Sequence, residues 1–354
     1  MKNYINQTEY LIDENLFLRI GSSWALDTIY IAIIAPLGFI GFLLNLVCFW
    51  TFHNIKIRQK GIKFYKYMKI YSLAAAVTSL ILGFSFMSFS PRYFIDFIHP
   101  IVKFFRCRII AYPMITLFFF LNLLDILISI DRMSIFTAKL KRFESINPFN
   151  LSLFILIICF IINSPVIFSY EILSDKIFLT TNINNHCGLT EFGLSKIGII
   201  SNLLGILIRD FITFILEFVA SLFVVYFYRT YKNNPNLLNN ILVNDIQTIN
   251  DNRTSRIHNI ESKINYRQRN YKKLLLMTLV LLILSIITHF ITAFVFFSAL
   301  KLMSDNIFVH YLIVCLGFLA FAFKNFLNII VFYFFNSNFK KQLKKSIDFF
   351  FLTQ

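Results

Sequence analysis

The chain has 354 residues, of which 57% are hydrophobic, and its formal net charge is +16. Soluble proteins are about 45–50% apolar, so the long apolar runs seen here indicate a helical membrane protein. The basic residues lie between those runs, which indicates that they interact with membrane lipid and not with nucleic acid. Five cysteines without metal-ligand spacing argue against a disulfide scaffold and a zinc site.

A polar head, residues 1–24, opens the chain and carries a glycosylation sequon at Asn6. Seven apolar runs follow within residues 25–335, and each is long enough to cross a bilayer, where only helices satisfy the backbone. The predicted spans are residues 25–51, 68–90, 104–135, 150–172, 197–231, 270–299 and 306–335. The fold class predicted is therefore an all-α membrane protein, a bundle of seven transmembrane helices.

Two segments on one side of the predicted membrane are polar. The loop 232–266 is rich in Asn and lacks an apolar face, which is typical of disorder. In the tail, residues 336–354, Phe339 and Leu343 recur at helical spacing with lysines beside them. This pattern predicts a short amphipathic helix at the lipid interface.

The distribution of charge gives the orientation. Most of the 34 lysines and arginines fall on the side that holds the loop 232–266 and the tail. The positive-inside rule assigns that side to the cytoplasm and the head to the outside. We therefore predict a multi-pass protein of the plasma membrane with an extracellular N-terminus.

The third run begins with Cys107 and ends with Asp131-Arg132-Met133. The 25 positions from Cys107 to Arg132 correspond to about 37 Å of helix, close to the roughly 40–45 Å of a bilayer with its interfaces. A cysteine at the outer end and an Asp-Arg pair at the inner end resemble the rhodopsin-like G-protein-coupled receptors. The resemblance implies an extracellular ligand and a heterotrimeric G protein as partners.

Other spans carry parts of that family's pattern. Residues 38–45, with Gly38, Gly41 and Asn45, resemble its glycine-then-asparagine motif, and the asparagine is expected to bridge helices or to be satisfied locally. Residues 72–77 resemble N-L-A-x-A-D, with Val77 in place of the aspartate. Asn325 and Asn328 resemble the start of the N-P-x-x-Y region.

The resemblance and the topology together predict a disulfide. Cys187 lies in the loop after the fourth span, and with Cys107 it would be exposed to the oxidising exterior. A Cys107–Cys187 bond would tie this loop to the third span. The alternative is two free thiols.

Ionisable groups inside spans need a partner or a role, because they are costly in lipid. Asp125 in the third span and Lys324 in the seventh are opposite charges at similar depth, and we predict that they pair. With Asn45, Asn325 and Asn328 they would form an intramembrane polar network. The alternative is that each is satisfied separately, with Lys324 reaching the interface.

The resemblance also implies how the signal passes to the G protein. Asp131 restrains Arg132 at rest, and Arg132 faces the G protein after the sixth span swings outward. The basic residues expected to rim that cleft are Arg267, Arg269, Lys272 and Lys273. The alternative is an Asp-Arg pair that only anchors the helix at the interface.

The ligand is less clearly indicated. Amine receptors of the family carry an aspartate at the position of Met114, and opsins carry their retinal-linking lysine at the position of Ala322, so a peptide is favoured. Candidate pocket residues are Met114, Asp210, Glu217 and His289. The alternatives are that the charged residues of the fifth span, Arg209, Asp210 and Glu217, are paired locally, and that His289 is packed in the core.

Other classes of function stay open. One is a chemosensory receptor for small environmental molecules, and another is a transporter or channel. Transporters often show repeats with helices broken at Gly or Pro in matching halves, whereas these spans are dissimilar and the chain has only 10 Gly and 7 Pro. The six histidines show no metal-ligand or catalytic spacing, so no enzyme, metal or cofactor is predicted.

Overall fold

The computed structural model describes residues 30–55, 62–87, 111–134, 146–172, 187–233, 272–273, 275–291 and 307–352. Within these ranges the chain is almost entirely helical. The helices are α1 (Ala35–Asn54), α2 (Ile62–Met87), α3 (Ala111–Ser134), α4 (Pro148–Asn163), α5 (Pro165–Ser169), α6 (Glu191–Leu194), α7 (Lys196–Ile206), α8 (Thr213–Asn233), α9 (Leu275–Ile291), α10 (Ile307–Phe335) and α11 (Ser337–Leu352).

Each of the seven predicted spans corresponds to helix in the described residues. Five helical segments are long and apolar enough to cross a membrane, and their bounds are Ala32–Asn54, Lys63–Phe84, Tyr112–Ser134, Pro148–Ser169 and Lys196–Phe227. The sixth span is the shorter apolar helix α9, and the seventh lies in α10. The buried apolar side chains of α1, α2, α3, α9 and α10 meet in one continuous core.

The fourth span ends earlier than predicted. Ser164, followed by Pro165, separates α4 from α5, since a proline cannot continue the hydrogen-bond ladder of the preceding helix. The last three residues of the predicted span are instead a strand, β1 (Tyr170–Ile172), which pairs antiparallel with β2 (Cys187–Leu189). This short hairpin is the one departure from an all-helical chain in the described residues.

The fifth span is also interrupted. A π-helical segment, Leu207–Ile212, joins α7 to α8. The wider turn of a π-helix shifts the facing of every later residue, and such segments are frequent at functional sites. Asp210 and Glu217 are predicted to share a face, but this segment leaves Asp210 half-buried and Glu217 fully buried.

The first two spans pack closely through glycine. A Cβ atom on Gly38 would lie 2.6 Å from the backbone nitrogen of Gly83, so only glycine allows the two backbones to approach this far. Ser79 of α2 faces the bundle and is 1% exposed. Val77 is 39% exposed. The alignment that put Val77 at the family's buried aspartate is therefore wrong.

The amphipathic tail helix α11 turns sharply away from the seventh span. The helical segments Leu319–Phe335 and Ser337–Asp348 meet at 104°. Phe339 is fully buried against Phe52 and Phe332, while Lys340 is exposed. An amphipathic helix at this angle to a span can lie along the lipid interface.

Asn336 caps α11 at this bend. Its Oδ1 accepts a hydrogen bond from the backbone N–H of Phe339 at 3.0 Å and one from the hydroxyl of Tyr65 at 3.4 Å. We expect Asn336→Ala to destabilise the protein by about 1 kcal/mol, the usual cost of a lost N-cap. Thermal unfolding in detergent micelles would measure the loss. Lys344→Ala, at an exposed position on α11, is the control, and an equal loss in both variants would contradict the capping role.

Candidate functional site

The centre of the bundle holds an ion pair between the third and seventh spans. Nζ of Lys324 in α10 lies 2.9 Å from Oδ2 of Asp125 in α3, and each side chain is 2% exposed. The ammonium also donates to Oδ1 of Asn122 at 3.2 Å and to Oγ of Ser285 at 2.9 Å. The two opposite charges are thus placed together, and hydrogen bonds satisfy the remaining donors of the lysine.

The network continues from the lysine to the fifth and sixth spans. Oγ of Ser285 in α9 accepts from Lys324 and donates to Oε1 of Glu217 in α8 at 2.9 Å. Nε2 of His289, one turn further along α9, lies 3.4 Å from the other carboxylate oxygen of Glu217. The exposed fractions of the His289 and Glu217 side chains are only 4% and 0%. Polar contacts therefore connect four spans inside the apolar core.

The candidate pocket residues have separate surroundings. Glu217 and His289 pair with each other inside the network, whereas Asp210 pairs with its neighbour Arg209 through an Nη2–Oδ2 contact of 2.6 Å. Met114 is 8% exposed and belongs to the apolar core. The structure thus brings Glu217 and His289 together, whereas Asp210 pairs with Arg209 and Met114 packs in the apolar core.

A second group of polar contacts joins the first, second and seventh spans. Nδ2 of Asn45 donates to the carbonyl of Gly41 at 2.8 Å and to that of Asn325 at 3.2 Å, so it is satisfied both locally and across helices. Nδ2 of Asn325 donates to Oγ of Ser79 at 3.2 Å. Nδ2 of Asn328 lies 3.4 Å from the hydroxyl of Tyr71. These contacts hold the C-terminal half of α10 against α1 and α2.

Arg132 lies near the C-terminal end of α3 and is 4% exposed. Its Nη2 donates to Oδ2 of Asp131 at 2.8 Å, and its guanidinium carbon lies 3.9 Å from the ring centroid of Phe64 in α2. At the start of the sixth span Lys272 is half-buried and Lys273 is exposed. Arg132 is thus held between its own neighbour and a second helix.

Several predicted site residues lie outside the described residues. They are Asn6, Cys107, Arg267 and Arg269, and residues 1–24 and 234–266 lie outside as well. The other predicted disulfide residue, Cys187, begins β2, and its Cα is paired with that of Ile172. The predicted disulfide and glycosylation therefore remain predictions.

Sequence reasoning missed Asn122, Ser285 and Phe64. Asn122 lies three residues before Asp125, so helical spacing puts the two on one face, and this signal could have identified it. Ser285 lies four residues before His289 on the same face. Phe64 carries no comparable signal, because aromatic residues are common throughout this chain.

No model of a known protein family matches the chain, and no curated protein matches it in sequence. Its structure, in contrast, is similar to the crystal structure of squid rhodopsin. The TM-score is 0.58, and the match covers 91% of this chain and 86% of that chain. The chain has the rhodopsin fold. The predicted resemblance and the seven-helix fold class are confirmed, while a sequence identity of 13% shows the fold alone.

Proposed function

We propose that this chain is a G-protein-coupled receptor that carries an extracellular signal to a heterotrimeric G protein. The observation that carries the proposal is the position of Arg132. In a rhodopsin fold, this arginine lies at the inner end of the third span, nearly buried and paired with Asp131 at 2.8 Å. That geometry supports a residue restrained at rest and free to meet a partner when the inner ends of the helices separate.

Charge supports the orientation that this function needs. The exposed lysines of α11, Lys340 and Lys341 among them, follow the seventh span, and Lys272 and Lys273 precede the sixth, so the two crossings between them would return the chain to the same side. Basic residues favour the cytoplasmic leaflet, whose surface is anionic. We propose that the N-terminus is extracellular, that the protein resides in the plasma membrane, and that Lys272 and Lys273, with Arg267 and Arg269, rim the cleft for the G protein.

We further propose a peptide as the ligand. Opsins bind retinal through a lysine that the resemblance aligns with Ala322, and the nearby Lys324 is committed to Asp125 at 2.9 Å. Met114 stands where amine receptors carry an aspartate. These replacements disfavour retinal and monoamines, and the exposed Glu191 beside β2 would suit a basic peptide.

Substitution of Arg132 tests the proposed coupling. We expect Arg132→Ala to abolish G-protein activation at matched surface expression, measured without ligand and with a peptide library. The reason is that the guanidinium is the charged group that would contact the G protein. Lys66→Ala, at an exposed position of α2, is the control and should leave activation near the wild-type value.

Each result decides between functions. A signal that is lost in Arg132→Ala and kept in Lys66→Ala supports a coupling receptor. A signal unchanged by Arg132→Ala would contradict the role of this residue and make the Asp131–Arg132 pair a structural anchor. Ligand-independent solute flux without G-protein activation would favour a transporter instead.

A further inference from the structure

Within the described part of the chain, Arg132 has two charge-stabilising contacts, and only one of them joins it to another helix. Asp131 is the preceding residue in α3, so it moves together with Arg132 whenever α3 shifts. Phe64 belongs to α2, and its ring centroid lies 3.9 Å from the guanidinium carbon. Of these two contacts, only the one with Phe64 ties the guanidinium to another helix.

The surroundings make the contact with Phe64 strong. The exposed fractions of Arg132 and Phe64 are 4% and 1%. Cation–π attraction is larger when both partners are removed from water, because water does not screen the charge. Nε of Arg132 is buried and has no hydrogen-bond partner among the described residues. The guanidinium therefore depends on Asp131 at one edge and on the aromatic ring at its face.

The ring of Phe64 is itself held in place. It meets the ring of Tyr65 edge-on, with centroids 5.3 Å apart. The hydroxyl of Tyr65 contacts Oδ1 of Asn336 and Nδ2 of Asn338 at the bend between α10 and α11. A continuous set of contacts thus runs from Arg132 through the second span to the start of the tail helix.

We infer that Phe64 is a positioning residue that holds Arg132 in its resting place by a cation–π contact and so suppresses signalling without ligand. This inference rests on the proposed function, in which Arg132 must leave its resting place to meet the G protein. The energy of the contact belongs to the resting state alone, so its loss shifts the population toward the active state.

Ligand-independent G-protein activation at matched surface expression measures this shift. We expect Phe64→Leu to raise it about tenfold, within the range that the loss of a desolvated cation–π contact produces. Phe64→Met, which puts a long, unbranched apolar side chain in place of the ring, should act in the same direction. Phe64→Tyr keeps an aromatic ring at this position, so its basal signal should stay closer to the wild-type value than that of the other two variants. Phe154→Leu removes a phenylalanine that is 60% exposed and is the matched control.

A second measurement does not depend on signalling. Thermal unfolding of purified protein is compared for Phe64→Leu, Arg132→Leu and the double variant, and we expect the double variant to lose less than the sum of the two single losses. Additive losses would overturn the contact itself. Coupled losses with an unchanged basal signal in Phe64→Leu would overturn the restraint. If Arg132→Ala left signalling intact while the losses were coupled, the proposed function would fail and the contact would stand.

Discussion

Neutralising Lys324 alone is expected to remove most of the protein from the cell surface. Lys324→Gln leaves the carboxylate of Asp125 buried at 2% exposure without its ammonium partner. Removing one partner of a buried pair typically costs about 3–5 kcal/mol, because the remaining charge is uncompensated. Surface expression in cells and thermal unfolding in micelles would both record the loss.

The two single variants are expected to differ in severity. Lys324→Gln leaves two carboxylates, Asp125 and Glu217, in one network with His289. Asp125→Asn instead leaves the ammonium of Lys324 with acceptors on Asn122 and Ser285, at 3.2 and 2.9 Å. The carboxylate of Glu217 lies just beyond the serine. We therefore expect Asp125→Asn to lose less stability than Lys324→Gln.

The double variant and a partly exposed pair serve as controls. Asp125→Asn with Lys324→Gln leaves no uncompensated charge at this point, so we expect part of the stability to return. The pair of Arg209 and Asp210 is 17% and 16% exposed, so Arg209→Gln should cost less than Lys324→Gln, whose partner Asp125 is 2% exposed. Purely additive losses in the double variant would show that Asp125 and Lys324 do not stabilise each other.

The pairing of Asp125 with Lys324 could be predicted because the cost of an ionisable group in lipid is a strong constraint. Two opposite charges in otherwise apolar helices have few ways to be satisfied. The apolar runs likewise predicted the helices, since length and polarity are properties of each run alone. These predictions needed no knowledge of how one helix faces another.

The facing of a helix was harder to predict where its residues are apolar on all sides. Residues 74–76 are three alanines, and nothing in that run indicates which side meets the bundle. An offset of one residue rotates a side chain by about 100° around the helix axis. The motif match places Val77 in the interior, whereas Ser79 is the residue that contacts Asn325.

Contacts between distant elements also escaped prediction. The predicted second span begins at residue 68, after Phe64, because Lys63 and Lys66 give this stretch the polarity of a loop. In the structure α2 already begins at Ile62, and Nζ of Lys63 reaches out to the carbonyl of Ile146 at 2.9 Å. Long basic side chains can keep their charge at the surface while their stems lie along a helix. The two lysines thus made the sequence of this helical turn, which packs on Arg132, resemble that of a loop.

A methyl group at Gly38 is expected to separate the first two spans. Its Cβ would lie 2.6 and 2.7 Å from the backbone N and Cα of Gly83 and 3.0 Å from the carbonyl oxygen of Ser79. Backbone atoms of a packed helix cannot rotate away as a side chain can, so the helices themselves must move. We expect Gly38→Ala to cost about 3 kcal/mol, the upper part of the usual range for overpacking. Thermal unfolding and surface expression would measure the effect.

The neighbouring glycines make this prediction specific. A Cβ on Gly83 would lie 3.3 Å from the ring of Phe39 and 3.4 Å from the carbonyl oxygen of Ala35, and a Cβ on Gly41 would lie 3.2 Å from the side chain of Ser79. The nearest neighbours of both Cβ atoms are side chains that can shift by a few tenths of an ångström, and the distance to the Ala35 oxygen is an ordinary van der Waals contact. Gly83→Ala and Gly41→Ala should therefore be tolerated better than Gly38→Ala, although all three glycines lie between the same two helices. Equal losses of stability in the three variants would contradict the role of the backbone contact at Gly38. Helix propensity or general crowding would then account for the losses.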